Sequence, residues 1–232
     1  MNSIIFLAFI IFLPMSTKFS GDSLDDTKEI SKRIEQASRH YAQGEYELAL
    51  RELDVVLHLD PKNALAYSCR GTVRFARKEY DLAITDLNAA ITLEPDKSTS
   101  GYSVRGAAYY MKREYARGCA DFEQALRINP NDIEALNSRA WAAATCPDAT
   151  IRNRVIALKN AKRVCEMDGM KNPYYIGTLA AAYAENSDFE KAVEMQRKAL
   201  QNPNYSMGKQ GKIMLMCFEK RQPYRDVTEP DK

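Results

Sequence analysis

YELALRELDVVLHLDP (46–61), YDLAITDLNAAITLEP (80–95) and YARGCADFEQALRINP (115–130) share one pattern. Each stretch opens on a tyrosine, carries apolar or small residues three and four positions apart, and closes on a proline. This spacing places the apolar side chains on one face of an α-helix, and the proline ends that helix. The closing prolines lie 34 and 35 residues apart, so the helix recurs as part of a repeated unit.

Each unit has another helix-forming segment before its tyrosine, and the first helices are predicted to end near Gly44, Lys78 and Arg113. Small residues recur at matched positions of the two segments. Only a small side chain fits where two antiparallel helices cross closely in a densely packed core. The unit is therefore predicted to be a helix–turn–helix. Its small positions are Ala37, Gly71 and Gly106 on the first helices and Ala49, Ala83 and Gly118 on the second helices.

The last third of the chain departs from the strict period. IEALNSRAWAAATC (133–146) predicts a fourth first helix, but about five inserted residues delay its partner. GTLAAAYAENSDFEKAVEMQRKAL (177–200) restores the pattern. MGKQGKIMLMCFEK (207–220) has apolar residues suited to covering the last exposed core, as the end unit of a repeat protein must.

The 34-residue period with these residue types resembles the tetratricopeptide-repeat family. The C-terminal half and the ending CFEKRQPYRD (217–226) are similar to those of a bacterial group within it. The resemblance implies an all-α fold, a right-handed α-solenoid of about five helix–turn–helix repeats plus a C-terminal capping helix. The expected repeat domain covers 30–222, with a tail at 223–232. Its expected parts are repeats at 30–63, 64–97, 99–132, 133–168 and 173–204 and a cap at 206–221.

The N-terminus carries an uninterrupted apolar run, IIFLAFIIFL (4–13). This run is shorter than the roughly 20 residues that span a membrane, and it is typical of the hydrophobic region of a signal peptide. We therefore expect residues 1–21 to be a signal peptide and the protein to be exported, periplasmic or extracellular. An uncleaved membrane anchor is the alternative. The small, polar and acidic residues at 22–29 are expected to form a linker.

Charge and motif content argue against several classes of function. Lys and Arg number 33 against 31 Asp and Glu, so a net charge of +2 gives no basic excess for binding nucleic acid. The sequence has no Gly-rich phosphate loop, nucleophile elbow or zinc-protease motif. Its two histidines have no partner at the spacing of metal ligands. We expect no enzymatic activity, no cofactor, no metal and no small-molecule substrate.

The five cysteines include no C-x-x-C pair, so neither a zinc ribbon nor a thioredoxin-like motif is indicated. Disulfides form in exported proteins. The repeat geometry brings Cys119, near the start of one second helix, towards Cys146, at the end of the next first helix. We expect Cys119 and Cys146 to be the closest pair and a candidate disulfide, with buried free thiols as the alternative.

Two arginines stand at equivalent positions of successive units, and each has an aspartate 16 residues later. Because the offset is the same, each pair is expected to lie on facing helices. We therefore predict structural ion pairs, Arg70–Asp86 and Arg105–Asp121, rather than arginines that bind a ligand.

In the family that the chain resembles, first helices line a concave groove that binds partners. Tyr41, Phe75 and Tyr110 recur at the repeat spacing and predict an aromatic row with Trp141 beyond it. Rings packed against neighbouring helices are the alternative. Lys and Asn residues that clamp a C-terminal carboxylate in some members are replaced here, which argues against such a clamp. The predicted groove residues are Ile34, Ser38, Tyr41, Ser68, Thr72, Phe75, Ser103, Ala107, Tyr110, Met111, Asn137 and Trp141.

The sequence therefore predicts a non-enzymatic protein–protein interaction module that binds a peptide or protein segment in its concave groove. The alternative is a membrane-tethered scaffold, or an assembly subunit of an envelope complex, held by residues 1–21. Both interpretations require a protein or peptide partner, with membrane contact only through an uncleaved N-terminal segment.

Overall fold

A computed structural model describes residues 24–203, 205 and 208–226. In these residues there are eleven α-helices and no strand, and consecutive helices pack against each other in pairs. The predicted fold class, an all-α solenoid of helix–turn–helix repeats with a C-terminal capping helix, is confirmed. The helices are α1 (Leu24–Ala42), α2 (Tyr46–Leu59), α3 (Ala64–Ala76), α4 (Tyr80–Leu93), α5 (Thr99–Met111), α6 (Tyr115–Ile128), α7 (Ile133–Thr145), α8 (Arg154–Asp168), α9 (Pro173–Glu185), α10 (Phe189–Leu200) and α11 (Gly208–Glu219).

The described residues divide into two compact units, an N-terminal unit (24–111) and a C-terminal unit (112–226). In the N-terminal unit, α1 pairs with α2 and α3 pairs with α4, while α3 also contacts α1 and α5. Ala49 and Leu53 of α2 and Val73 of α3 are buried in one hydrophobic core. The amphipathic pattern of each helix thus places its apolar side chains between paired helices.

Close helix approach explains the small residues of the repeat. A Cβ atom added to Gly71 of α3 would lie 2.7 Å from Cγ of Leu87 and 3.2 Å from the carbonyl oxygen of Ala83, both on α4. Ala83 is itself fully buried. A larger residue at either position would separate the two helices, because the interior is densely packed.

Four of the turns that join a first helix to a second helix contain one residue in the left-handed backbone conformation. These residues have φ angles of 77°, 65°, 64° and 63°, and they are Gly44, Lys78, Arg113 and Ser187. In the first of these turns the amide of Glu45 donates to the carbonyl of His40 at 2.8 Å, which closes the helix end. The first helices therefore end close to the residues that the sequence indicates.

The stretched repeat of the C-terminal unit lies between α7 and α8. Residues 146–153 join these helices, whereas residues 77–79 join α3 to α4, a difference of five residues. The extra residues form an ordered turn, because Asp148 Oδ1 accepts hydrogen bonds from the amide and hydroxyl of Thr150. Asn153 then caps α8 by accepting from the amides of its first turn.

Helix α11 packs against α10 and α9 at the end of the C-terminal unit. Met214 and Phe218, two of its predicted capping residues, are fully buried, while Ile213 is 46% exposed and Leu215 is half-buried. Met207 lies outside the described residues. One face of α11 therefore covers the adjacent core and the opposite face remains open, as an end unit requires.

Helix α1 begins at Leu24, so most of the segment 22–29 expected to be a linker is helical. An acidic residue such as Asp26 is favourable near a helix N-terminus, which explains the earlier start. The predicted signal peptide or anchor at 1–21 lies outside the described residues. Among the residues that the structure describes, no helix combines the length and the apolar character needed to cross a membrane.

Candidate functional site

The first helices of the N-terminal unit, α1, α3 and α5, pack side by side, because α3 contacts both of the others. The hydroxyl groups of Ser68 on α3 and Ser100 on α5 lie 3.4 Å apart. This row of helices carries most of the predicted groove. The residues are Ile34, Ser38 and Tyr41 on α1, Ser68, Thr72 and Phe75 on α3, and Ser103, Ala107, Tyr110 and Met111 on α5.

Burial separates these ten residues into two groups. Thr72, Phe75, Ser103 and Ala107 are only 5–8% exposed, so their side chains belong to the helix packing. The remainder are half-buried, and a partner can reach them. These accessible groove residues are Ile34, Ser38, Tyr41, Ser68, Tyr110 and Met111.

Two rings of the aromatic row pack within their own repeats. The Tyr41 ring centroid lies 5.9 Å from that of Tyr46, and the Phe75 centroid lies 5.7 Å from that of Tyr80. Tilted rings at such distances attract each other. Because Tyr46 and Tyr80 open the second helices, these contacts hold the two helices of a repeat together. Phe75 thus has a packing role, whereas Tyr41 also keeps an accessible part.

The hydroxyl groups of the row are partly used inside their own helices. Ser38 donates to the carbonyl of Ile34 at 2.9 Å, and Thr72 donates to the carbonyl of Ser68 at 2.9 Å. The hydroxyl oxygen of the half-buried Ser38 still has lone pairs for accepting a hydrogen bond, whereas that of Thr72 is buried. The row therefore offers acceptors and apolar surface to a partner.

Arg70 lies at the centre of a charged network between α3 and its neighbours. Its Nε and Nη2 atoms bind both carboxylate oxygens of the buried Asp86 at 2.9 and 2.7 Å. Arg74 also binds Asp86 at 2.8 Å, and the exposed Asp54 binds Arg70 at 2.7 Å. The hydrogen bond to Asp86 raises the pKa of the Arg70 guanidinium. This bidentate geometry holds helices together and leaves Arg70 little capacity for a ligand.

Arg105, the equivalent arginine of the next repeat, has other neighbours within the N-terminal unit. Its Nη1 atom donates to Oδ1 of Asn88 at 2.6 Å. Its guanidinium lies 5.4 Å from the Tyr102 ring centroid and 5.9 Å from that of Tyr109, within the range of cation–π attraction. Asp121, its predicted partner, belongs to the C-terminal unit, and the Arg105–Asp121 pair stays a prediction.

Asn137 and Trp141, the remaining predicted groove residues, lie on α7 and are only 6% and 7% exposed. The Trp141 Nε1 atom donates to Oδ2 of Asp226 at 2.9 Å, and the Tyr224 ring centroid lies 6.1 Å from that of Trp141. Residues 222–226, which we call the tail strap, therefore cover Trp141 within the C-terminal unit. The helical pattern does not predict this contact, because the strap has no helical periodicity.

A half-buried carboxyl group on α7, that of Glu134, is not among the residues singled out from the sequence. The hydroxyl of Tyr175 on α9 donates to Oε1 of Glu134 at 2.8 Å. Burial raises the pKa of Glu134 to about 7, although the Tyr175 hydrogen bond acts in the opposite direction. Burial also raises the pKa of Tyr175. In the sequence, Glu134 is one of many glutamates at helix starts, so no local signal distinguishes it.

All five cysteines are free thiols in the structure, and Cys119 and Cys146 are both buried. Burial is the main cause that raises the pKa of the Cys119 thiol to about 11, with Arg139 acting in the opposite direction and Cys146 in the same direction. A disulfide between them stays a prediction. The described residues bring together no group of three or more His, Cys, Asp or Glu side chains that would hold a metal ion.

Comparison with known proteins identifies the repeat. Residues 34–98 and 100–132 match family models described as tetratricopeptide repeat. No curated protein is significantly similar to the chain. Among solved structures, TTC0263, a thermophilic tetratricopeptide protein of Thermus thermophilus, is 17% identical over 82% of this chain and 99% of that one, with a TM-score of 0.63.

Two further structures share the fold at low identity. YrrB, described as a tetratricopeptide protein with an unusual peptide-binding site, is 24% identical over 81% of this chain and 97% of its own, with a TM-score of 0.55. A mutant O-GlcNAc transferase of Thermobaculum terrenum is 22% identical over 61% of this chain but only 27% of its own, with a TM-score of 0.55. The tetratricopeptide-repeat models thus match two stretches of the chain, 34–98 and 100–132, and the helices of these stretches have the helix–turn–helix pairing of such repeats.

Proposed function

We propose that the chain is a non-enzymatic interaction module that binds a peptide or protein segment along α1, α3 and α5 of its N-terminal unit. Tetratricopeptide repeats generally mediate interactions with proteins or peptides. The similar YrrB structure is described as having a peptide-binding site, while the similar transferase is an enzyme with a repeat region. The fold therefore favours a scaffold in general and does not by itself name a partner.

The observation that carries the proposal is the accessible part of the first-helix row. Tyr41, Tyr110 and Met111 are half-buried there, together with Ile34. Aromatic and methionine side chains are enriched where protein partners bind, and tyrosine supplies a large apolar ring with a polar end. A partner segment with apolar side chains is expected to bind this row, with the Ser38 and Ser68 hydroxyl oxygens accepting hydrogen bonds.

Affinity capture from the native cell tests the proposal with a matched pair of variants. The double variant Tyr41→Ala/Tyr110→Ala removes the two accessible rings, and we expect it to lose the captured partner. The control Leu48→Ala/Leu82→Ala removes side chains that are 39% and 49% exposed on the second helices α2 and α4, and it should retain the partner. Far-UV circular dichroism checks that both variants keep their helical content. A folded tyrosine variant that still captures every partner would contradict the proposed groove.

A further inference from the structure

The tail strap, residues 222–226, runs without regular secondary structure after a turn at Arg221, whose φ angle is 55°. It crosses the first helices α7 and α9 of the C-terminal unit, on the face that the repeat pattern assigns to partner binding. Three consecutive side chains make the contacts, in the order aromatic, arginine and aspartate. The strap is thus bound to the helices as an extended peptide would be.

Tyr224 makes the aromatic contact. Its ring centroid lies 6.1 Å from that of Trp141 with the two planes tilted by 45°, an arrangement in which aromatic rings attract each other. Its hydroxyl oxygen accepts a hydrogen bond from Nε2 of Gln210 at 3.0 Å. Trp141 and Gln210 therefore select an aromatic residue that has a polar end.

Arg225 makes the basic contact. Its Nη1 atom lies 2.7 Å from Oε2 of Glu185 and 3.1 Å from the carbonyl oxygen of Ala144. Oε1 of Glu185 also lies 3.7 Å from Nε of Arg152, whose Nη1 atom donates to the carbonyl of Cys146. Because Arg152 pairs with Glu185 independently of the strap, the carboxylate keeps a partner and its position when Arg225 leaves.

Asp226 makes the acidic contact. Its amide donates to the carbonyl of Thr145 at 2.8 Å, and its Oδ2 atom accepts from Nε1 of Trp141 at 2.9 Å. The side chain is 4% exposed, yet its Oδ1 atom has no hydrogen-bond partner among the described residues. Burying a carboxylate oxygen without a partner is unfavourable, so this contact is incompletely satisfied and opposes permanent binding of the strap.

We propose that this face of α7 and α9 is a second binding site, which takes an extended partner segment with the order aromatic, arginine, aspartate, and that residues 224–226 occupy it until such a segment displaces them. Trp141, Glu185 and the carbonyls of Ala144 and Thr145 belong to packed helices and are in place before the partner arrives. The strap is held by few contacts and no regular secondary structure. The proposal extends the binding function to the C-terminal unit. It does not depend on partner binding by the first-helix row of the N-terminal unit.

The experiment uses Trp141 as its reporter, because it is the only tryptophan of the chain. In the full chain, Arg225→Ala/Asp226→Ala removes two strap contacts, and we expect a red shift of the tryptophan emission and stronger acrylamide quenching. The probe is a synthetic peptide of residues 219–229, EKRQPYRDVTE, blocked at both ends. The peptide should reverse the red shift with saturable binding. The unchanged chain should bind the peptide at least about tenfold more weakly than the double variant does. Its own strap is tethered beside the site and therefore competes with the peptide at a millimolar effective concentration.

Several controls keep the test decisive. A peptide with Ala in place of Arg225 and Asp226 should not bind. The variant Tyr41→Ala/Tyr110→Ala should leave the Trp141 emission unchanged, whatever its effect on partner capture. If the double variant loses helical content, Arg225→Gln and Asp226→Asn, which nearly preserve side-chain size, are measured in the same assay. An emission spectrum that no strap variant alters, or a red shift that the peptide does not reverse, overturns the proposal. If the chain is a dimer whose tryptophan emission red-shifts on dilution, the strap of a second copy occupies the site. This result also overturns the proposal.

Discussion

Arg70 and Asp86 lie on the facing helices α3 and α4 and are joined by two hydrogen bonds, of 2.9 and 2.7 Å. The Asp86 side chain is 2% exposed and that of Arg70 is 17% exposed, so water screens this pair weakly. The repeat places the two residues opposite each other, since the offset of 16 residues covers the second half of α3, the turn at 77–79 and the first half of α4. The pair joins α3, the central helix of the first-helix row, to α4.

Replacing Asp86 should therefore be strongly destabilising. Asp86→Ala leaves the Arg70 and Arg74 guanidinium groups without their buried partner, and we expect the free energy of unfolding to fall by about 3–5 kcal/mol. The matched control is Asp54→Ala, which removes the other carboxylate bound to Arg70. Because the Asp54 side chain is 59% exposed, its loss should cost less than about 1 kcal/mol. Urea denaturation followed by circular dichroism measures both values, and equal losses would show that burial does not decide the energy of this network.

The helix crossing at Gly71 gives a second prediction. In Gly71→Ala the new methyl group would lie 2.7 Å from Leu87 Cγ, so α3 and α4 must separate or Leu87 must shift. We expect a loss of about 1–3 kcal/mol in unfolding free energy. Gly208→Ala is the control, because among the described residues no atom outside its own chain neighbours and helix backbone lies within 4 Å of its added Cβ. At this first position of α11 the change should alter the unfolding free energy by less than about 0.5 kcal/mol. Thermal denaturation of the two variants compares them directly; an unaffected melting temperature for Gly71→Ala would contradict the steric explanation.

Glu134 predicts a pH dependence of stability. Its pKa is about 7 in the folded chain against an ordinary value of 4.5, so the folded state holds this proton more tightly than the unfolded state. The resulting stabilisation is complete below about pH 4.5 and is lost as the pH rises through 7. We expect the unfolding free energy to fall by on the order of 2–3 kcal/mol between pH 4.5 and pH 8 from this group.

Glu134→Gln isolates this contribution from other titrating groups. Its amide oxygen can still accept the hydrogen bond of Tyr175, but it does not titrate. The variant should match the unchanged chain at pH 4.5 and exceed it in stability at pH 8. Urea denaturation of both chains at each pH gives the difference curve. A difference that stays constant across this range would show that Glu134 has an ordinary pKa.

The apolar run at 4–13 leads us to propose export of the chain. After fractionation of the native cell, N-terminal sequencing should find a mature chain that starts near Ser20 or Gly21 outside the cytoplasm. Retention of Met1 in the membrane fraction would instead indicate the tethered scaffold. Recovery of the full-length chain from the soluble cytoplasmic fraction would contradict both.

Much of the fold could be predicted because each repeat packs against the repeats next to it in the sequence, and the same residue pattern recurs at each of these contacts. The recurring small residues specify the helix crossings, the turn positions near Gly44, Lys78 and Arg113 specify the helix ends, and the extra residues after Cys146 are visible as a break in the period. The candidate site was only partly predictable. The helical positions of Phe75 and Tyr41 are equivalent, yet Phe75 is 7% exposed while Tyr41 is half-buried, because burial depends on the neighbouring repeats.

The sequence by itself determined that this chain folds into paired helices and where each pair begins, because apolar spacing, small residues and turn residues act over short distances. Only the tertiary structure decided that Asp226 binds Trp141, 85 residues away, and that Tyr175 binds Glu134, 41 residues away. The first contact joins a helix to a segment without helical periodicity, and the second spans the stretched repeat, where the period is broken. Their formation depends on which polar groups the packed helices leave within reach, and this is established only when the chain has folded.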